Sequence, residues 1–254
     1  MNRPRTLLLT LLAVLVVCLA LLALRDSTNS KTTLTLYCAA GLQAPINAIV
    51  EEYEQQTGTS IQVIYNGSGA LLSQLQLGRG DLYLPANQSY INQAGNYLTG
   101  SATSVVAQQA VIVVHQSNQS IHSLSDLSKP NIKISFAEDS AAIGRYTKNL
   151  LQRHQLWDTI QPNIIVYKPT VNGVIEDVAL RSADATIAWK NTAQQFPNIK
   201  TIDTSILNSP PQFAAISILK SSNSKPLAQK FITFLTTHAS SQTIFKKHHY
   251  EIVQ

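Results

Sequence analysis

Apolar and polar positions along this chain repeat in two periods. Residues 33–37 (Thr-Leu-Thr-Leu-Tyr) alternate strictly, as a half-buried strand does. Ile46, Ile49, Val50 and Tyr53 then recur at helical spacing, predicting a helix over residues 44–56 that Gly58 stops. Residues 60–65 read as a second strand, and Leu71, Leu72 and Leu75 mark a second helix over 69–77. Leu82-Tyr-Leu84 is a short third strand, opened by Gly80-Asp81 and closed by Pro85. This βαβαβ order predicts an α/β fold with a mostly parallel sheet and helices on both faces.

The alternation continues. Residues 107–115 read as one buried strand and 132–136 as another. A helix is expected over 144–154, with Tyr146, Leu150 and Leu151 facing inward. Residues 163–167, 185–189 and 213–219 read as strands, and 174–181, 228–235 and 240–246 as helices. A second βα series thus fills the middle of the chain, between two strands that are candidate crossovers.

The N-terminus breaks both periods. Residues 7–24 form an apolar run interrupted only by Thr10, preceded by Arg3 and Arg5 and ended by Arg25-Asp26. The run is long for a signal-peptide core and short for a span, so residues 1–29 are either an export signal or a membrane anchor. Leu15-Val-Val-Cys18 is a weak lipoprotein cleavage box, because Val precedes the cysteine. Basic residues on the N-terminal side put the remainder outside the cytoplasm, in the periplasm or held at the inner membrane.

Setting the leader aside changes the charge. Of 19 basic residues Arg3, Arg5 and Arg25 are in the leader, so from Asp26 onward 19 − 3 = 16 face 14 acidic ones, a net charge of +2. The basic residues are scattered rather than striped, which excludes a nucleic-acid footprint. Cys38 is the one cysteine beyond the leader, so neither an intrachain disulfide nor a cysteine metal site is expected.

Chemistry is sparse. Tyr65-Asn-Gly-Ser-Gly-Ala-Leu-Leu-Ser-Gln-Leu75 runs from strand through a Gly-Ser-Gly turn into a helix, with Ser68 where an N-cap belongs. The turn is either a plain helix cap or an anion nest of backbone N–H groups, a hydroxyl and a helix dipole. Ser140-Ala-Ala-Ile-Gly-Arg-Tyr146 is a second small-residue loop entering a helix, open to the same two readings. The six histidines include no pair at metal-binding helical spacing. Glu51-Glu52 reads as a solvated pair, and Glu138-Asp139 flanks the loop at Ser140. Trp157 reads as core; Trp189 ends a strand, where core and ligand-facing roles are both open. Neither a nucleophile–base pair nor a carboxylate arrangement for acid–base work is present, so an enzyme is not expected.

Three segments together carry a resemblance: Leu36-Tyr-Cys-Ala-Ala-Gly-Leu42, the stretch 65–75, and Gly80-Asp-Leu-Tyr-Leu-Pro-Ala86. In order and spacing they resemble the molybdate-binding receptors of ABC importers, and the likeness extends over residues 32–254. The resemblance implies the type II periplasmic-binding fold: two αβ lobes joined by two crossover strands, with the ligand cleft between them. It implies one lobe of 32–110 plus 216–254 and another of 111–215, with the crossovers at 111–115 and 213–219. It further implies a bound molybdate or tungstate rather than a cofactor or resident metal, an ABC permease as partner, and a monomer.

Carried over position by position, the ligand contacts are Ala40, Gly41, Ser68, Ala142, Ile143, Val171 and Trp189. Two depart from the family pattern: Gly41 stands where a serine is usual, and Trp189 where a tyrosine is usual. Asn87 stands where the family commonly has Asp. These departures keep open a receptor for another tetrahedral oxyanion or a small organic acid, or an anchored sensor built on the same fold.

Overall fold

The computed structural model describes residues 33–207, 210 and 212–253. The leader expected over residues 1–29 lies outside the described residues. From Leu34 onward the chain forms one contact unit. Among the described residues no helix is long and apolar enough to cross a membrane.

Two mixed sheets organise the chain. Strands β1 (Thr33–Ala39), β2 (Ser60–Asn66), β3 (Leu82–Leu84) and β4 (Leu98–Gln108) belong to the first, and β5 (Ala110–His115), β6 (Ile134–Ala137), β7 (Ile164–Lys168), β8 (Ala185–Trp189) and β9 (Ile199–Ile202) to the second. The chain then returns to the first sheet with β10 (Gln212–Leu219) and β11 (Glu251–Ile252). The orders are β11-β4-β10-β3-β1-β2 and β7-β6-β8-β5-β9. The chain changes sheets at Gln109 and again between Ile202 and Gln212. Each sheet with its helices makes one lobe.

The expectation of mostly parallel sheets is corrected. Parallel pairing joins β1 to β3 and β6 to both β7 and β8, but β10 runs antiparallel to β3 and β4, and β5 antiparallel to β8 and β9. Residues 107–115 are two strands rather than one. The strand breaks at Gln109, whose carbonyl accepts from Lys190 N–H at 2.8 Å and whose side chain donates to Asp203 at 2.9 Å. Strand β4 was invisible to hydrophobic periodicity: its sequence, LTGSATSVVAQ, is largely small and polar. It forms because β10 and β11 pair along its two edges.

The helices are α1 (Gln43–Thr57), α2 (Ser68–Leu75), α3 (Gln88–Gln93), α4 (Ala142–Arg153), α5 (Trp157–Ile160), α6 (Val171–Ala179), α7 (Lys190–Ala193), α8 (Lys225–Thr237) and α9 (Ala239–Lys247). Helix α1 buries Ile46, Ile49, Val50 and Tyr53, the face that periodicity marked. It ends on Gly58 at φ 70°, a left-handed cap that costs glycine little. Tyr53 packs edge-on against Phe231 and Phe234, which ties α1 to α8. In the second lobe Val174, Ile175 and Val178 of α6 are buried against β5, β6 and β8.

Candidate ligand cleft between the lobes

The loops that leave strands β1, β2, β3, β6, β7 and β8 at their carboxyl ends meet between the lobes. This is where an open α/β sheet ordinarily places its ligand. They line a cavity of about 20 Å³. Ala40, Gly41 and Ser68 line it from the first lobe, and Ala142, Ile143, Val171 and Trp189 from the second. The structure therefore brings all seven positions named from sequence to one cavity. Asn66, Ala86 and Thr170 also line it and were not singled out.

The lining contains no ionisable side chain. Its polarity comes from backbone, hydroxyls, the Asn66 amide and the Trp189 indole. Helices α2, α4 and α6 each begin at a lining residue, and a 3₁₀ turn at Ala40–Leu42 leads into α1. First-turn N–H groups have no intrahelical acceptor, and each α-helix N-terminus carries about half an elementary positive charge. Three such ends facing one cavity approach the charge of a dianion without a single lysine or arginine.

Ser68 is placed differently from its expectation. Gly67, extended at φ −61° and ψ 144°, is the N-cap of α2, and Ser68 is already helical. The buried Ser68 hydroxyl accepts from Ala86 N–H at 3.1 Å instead of capping its own helix. Its proton thus remains for an acceptor in the cavity. Thr170 repeats the arrangement in the second lobe: as N-cap of α6 it accepts from Gly173 N–H at 3.2 Å and keeps its proton. Its place before an apolar helical run is an N-cap signal that could have found it. Asn66 Oδ1 accepts from Gly67 N–H at 2.8 Å, which leaves the Asn66 amide NH₂ as a donor.

Other groups singled out from sequence turn away. Asn87 caps α3 by accepting from Ser89 N–H at 2.7 Å, and its amide donates to Gln212. Glu138 accepts from the Ser140 hydroxyl at 3.1 Å, which takes that hydroxyl out of the cavity. Arg145 reaches across to the first lobe, 4.7 Å from the centre of the Tyr90 ring, and donates to Gln93 at 2.8 Å. Trp189 is buried, tilted against Tyr146 at 5.7 Å, and its indole N–H has no acceptor among the described residues.

The lobes are closed on the cavity. Gly69 N–H donates to Ser140 C=O at 2.7 Å, and the Tyr90 hydroxyl donates to Asp139 C=O at 3.0 Å. On the opposite flank Asn191 donates to His249 C=O. Burial pushes the Tyr83 and Tyr90 phenols and the Cys38 thiol up from their ordinary values, so all three stay neutral near the cavity.

Residues 34–251 match the family model of bacterial extracellular solute-binding proteins. The chain belongs to this family. It is a solute-binding protein of the kind that serves ABC transporters outside the cytoplasm, and the family is one of receptors rather than enzymes. Among curated relatives, a putative binding protein of Haemophilus influenzae is 24% identical over 205 residues, 79% of this chain and 84% of its own. The molybdate-binding protein ModA of Escherichia coli is 24% identical over 186 residues, covering 67% and 70%.

Solved structures confirm the two-lobed fold. The periplasmic molybdate-binding protein of Azotobacter vinelandii superposes with a TM-score of 0.74 at 17% identity, over 87% of this chain and all of that one. The sulfate-binding protein SubI of Mycobacterium tuberculosis gives 0.75 at 15%, over 88% of each.

Proposed function

We propose that this protein captures a fully deprotonated tetrahedral oxyanion, molybdate or tungstate, and hands it to an ABC permease. The observation that carries this reading is a cavity between the lobes whose polar lining offers helix N-termini and hydroxyls, and no ionisable group. A fully deprotonated dianion has only acceptors and wants only donors. A protonated oxyanion such as hydrogen phosphate needs an acceptor, and its absence costs about 1–3 kcal/mol. Proposed contacts are the Ser68 hydroxyl, backbone N–H groups at Ala40, Gly41, Ala142, Ile143 and Val171, and the Trp189 indole N–H.

Size supports a compact ion. A single water needs roughly 10–15 Å³ by this measure, so the space of about 20 Å³ suits one small polyatomic ion and not a sugar phosphate. The curated molybdate-binding relative supports molybdate as the first ion to try.

Thermal and calorimetric titrations of the protein with molybdate, tungstate, sulfate and phosphate test the reading. A ligand at 1,000 times its Kd adds about 4 kcal/mol of stability. Molybdate or tungstate is expected to bind most tightly. If sulfate wins, the cleft is a sulfate receptor; if none of the four shifts the midpoint, the oxyanion reading is wrong.

A further inference from the structure

Two carbonyls beside the cavity are held from outside it. Ala40 C=O accepts from Gln43 N–H and from Asn172 Nδ2, the latter at 3.3 Å. Gly41 C=O accepts from the Tyr250 hydroxyl at 2.7 Å and from Thr192 Oγ1 at 3.3 Å. Tyr250 is fully buried near the C-terminal end of the first lobe and also meets Thr192 at 3.3 Å. Asn172 and Thr192 come from the second lobe. They line a separate opening of about 300 Å³ that borders Ala40 and Gly41, not the small cavity itself.

The direction of these carbonyls matters. In a trans peptide the C=O and N–H point opposite ways, so the bond from Asn172 to Ala40 C=O sets where Gly41 N–H points. Gly41 has no side chain to restrict its backbone. That same lack lets the second lobe approach: a Cβ on Gly41 would lie 2.9 Å from Val171 Cγ1 and 3.0 Å from Thr192 Oγ1. An inward-turned carbonyl would repel a dianion that only accepts, and would welcome a protonated oxyanion.

We propose that Asn172, Thr192 and Tyr250 are positioning residues: Asn172, through the Ala40 carbonyl, aims Gly41 N–H into the cavity, and Thr192 and Tyr250 keep the Gly41 carbonyl turned away from it. Two of the three holders belong to the other lobe, so the two carbonyls gain their full set of partners only on closure. This selects the fully deprotonated anion a second time, through orientation rather than through absence of an acceptor. The inference rests on the cavity being an oxyanion site.

The test uses the full chain and the variants Thr192→Val, Asn172→Ala, Tyr250→Phe and Thr192→Ser, with stopped-flow binding of molybdate and competition by phosphate. Loss of one holder acts after encounter, so dissociation should quicken on the order of tenfold while association changes little. Molybdate should lose more affinity than phosphate, and Thr192→Ser should keep the parent's behaviour. Variants that dissociate as slowly as the parent, or lose both anions by the same factor, overturn the inference. If the parent binds none of these anions, the oxyanion reading itself has failed and this inference goes with it; parent binding with indifferent variants sinks this inference alone.

Discussion

The amide of Gly69 donates to the carbonyl of Ser140 at 2.7 Å. The two small-residue turns, about seventy positions apart in sequence, are therefore bonded to each other across the cleft. Neither turn could approach so closely with larger residues, and that contact sets the first prediction.

A Cβ on Gly67 would lie 2.6 Å from the Pro169 carbonyl oxygen and 2.9 Å from that of Ser140. Both obstacles are backbone of the other lobe, which cannot swing aside. Gly67→Ala should therefore leave the ligand-free thermal midpoint nearly unchanged, because an extended φ of −61° suits alanine. It should weaken oxyanion binding at least on the order of tenfold by opposing closure. Calorimetric titration beside a melting curve separates the two effects; parent-like affinity would show that the lobes close without this approach.

Ser68→Ala removes a hydroxyl with two duties. The cavity loses a charge-assisted donor, worth roughly 1.5–3 kcal/mol or ten- to a hundredfold in Kd. The buried Ala86 N–H loses its acceptor at the same time, so the ligand-free protein should also melt earlier. An unchanged Kd with a lowered midpoint would reduce Ser68 to a structural role.

Gly41→Ser introduces the residue usual in the resembling family, yet it should weaken binding. The new Cβ meets Val171 Cγ1 at 2.9 Å, and a β-branched side chain has little freedom to yield. Adding Val171→Ala should restore much of the loss. Tighter binding by the single variant in equilibrium titration would mean that the cleft closes less far in solution than it does here.

Asp126 should make stability fall in acid. The Lys129 ammonium at 2.6 Å, then the His122 N–H and the Ser123 hydroxyl and N–H, hold its carboxyl well below the usual range. A depressed pKa contributes stability that is complete above the unfolded value, about 4, and is lost as pH falls through the folded one. Asp126→Asn should melt earlier at pH 7, with the gap to the parent narrowing steadily below about pH 4. A gap independent of pH in thermal scans would discount the carboxylate.

Local order was written plainly in the chain. The helical spacing of Ile46, Ile49, Val50 and Tyr53, the stop at Gly58 and the Gly-Ser-Gly turn before Leu71 all describe short-range choices of backbone and burial, which a few neighbouring residues decide. The positions around the cavity were named through the resemblance, and they meet because strand-to-helix turns in an α/β sheet come to one edge whatever their sequence separation.

What pairing decides was hidden. Strand β4 is polar and shows no period, and it exists because β10 and β11 supply hydrogen bonds along its edges. The break at Gln109 is equally silent, since only contacts with Lys190 and Asp203 turn the chain there. The direction of a hydroxyl is tertiary too. By sequence alone Ser68 belongs to its own helix; in the folded chain its oxygen accepts from Ala86 N–H instead. Sequence alone marked where donors could gather; tertiary contacts such as that between Ala86 and Ser68 decided which of their atoms are already engaged, because those partners lie far away along the chain.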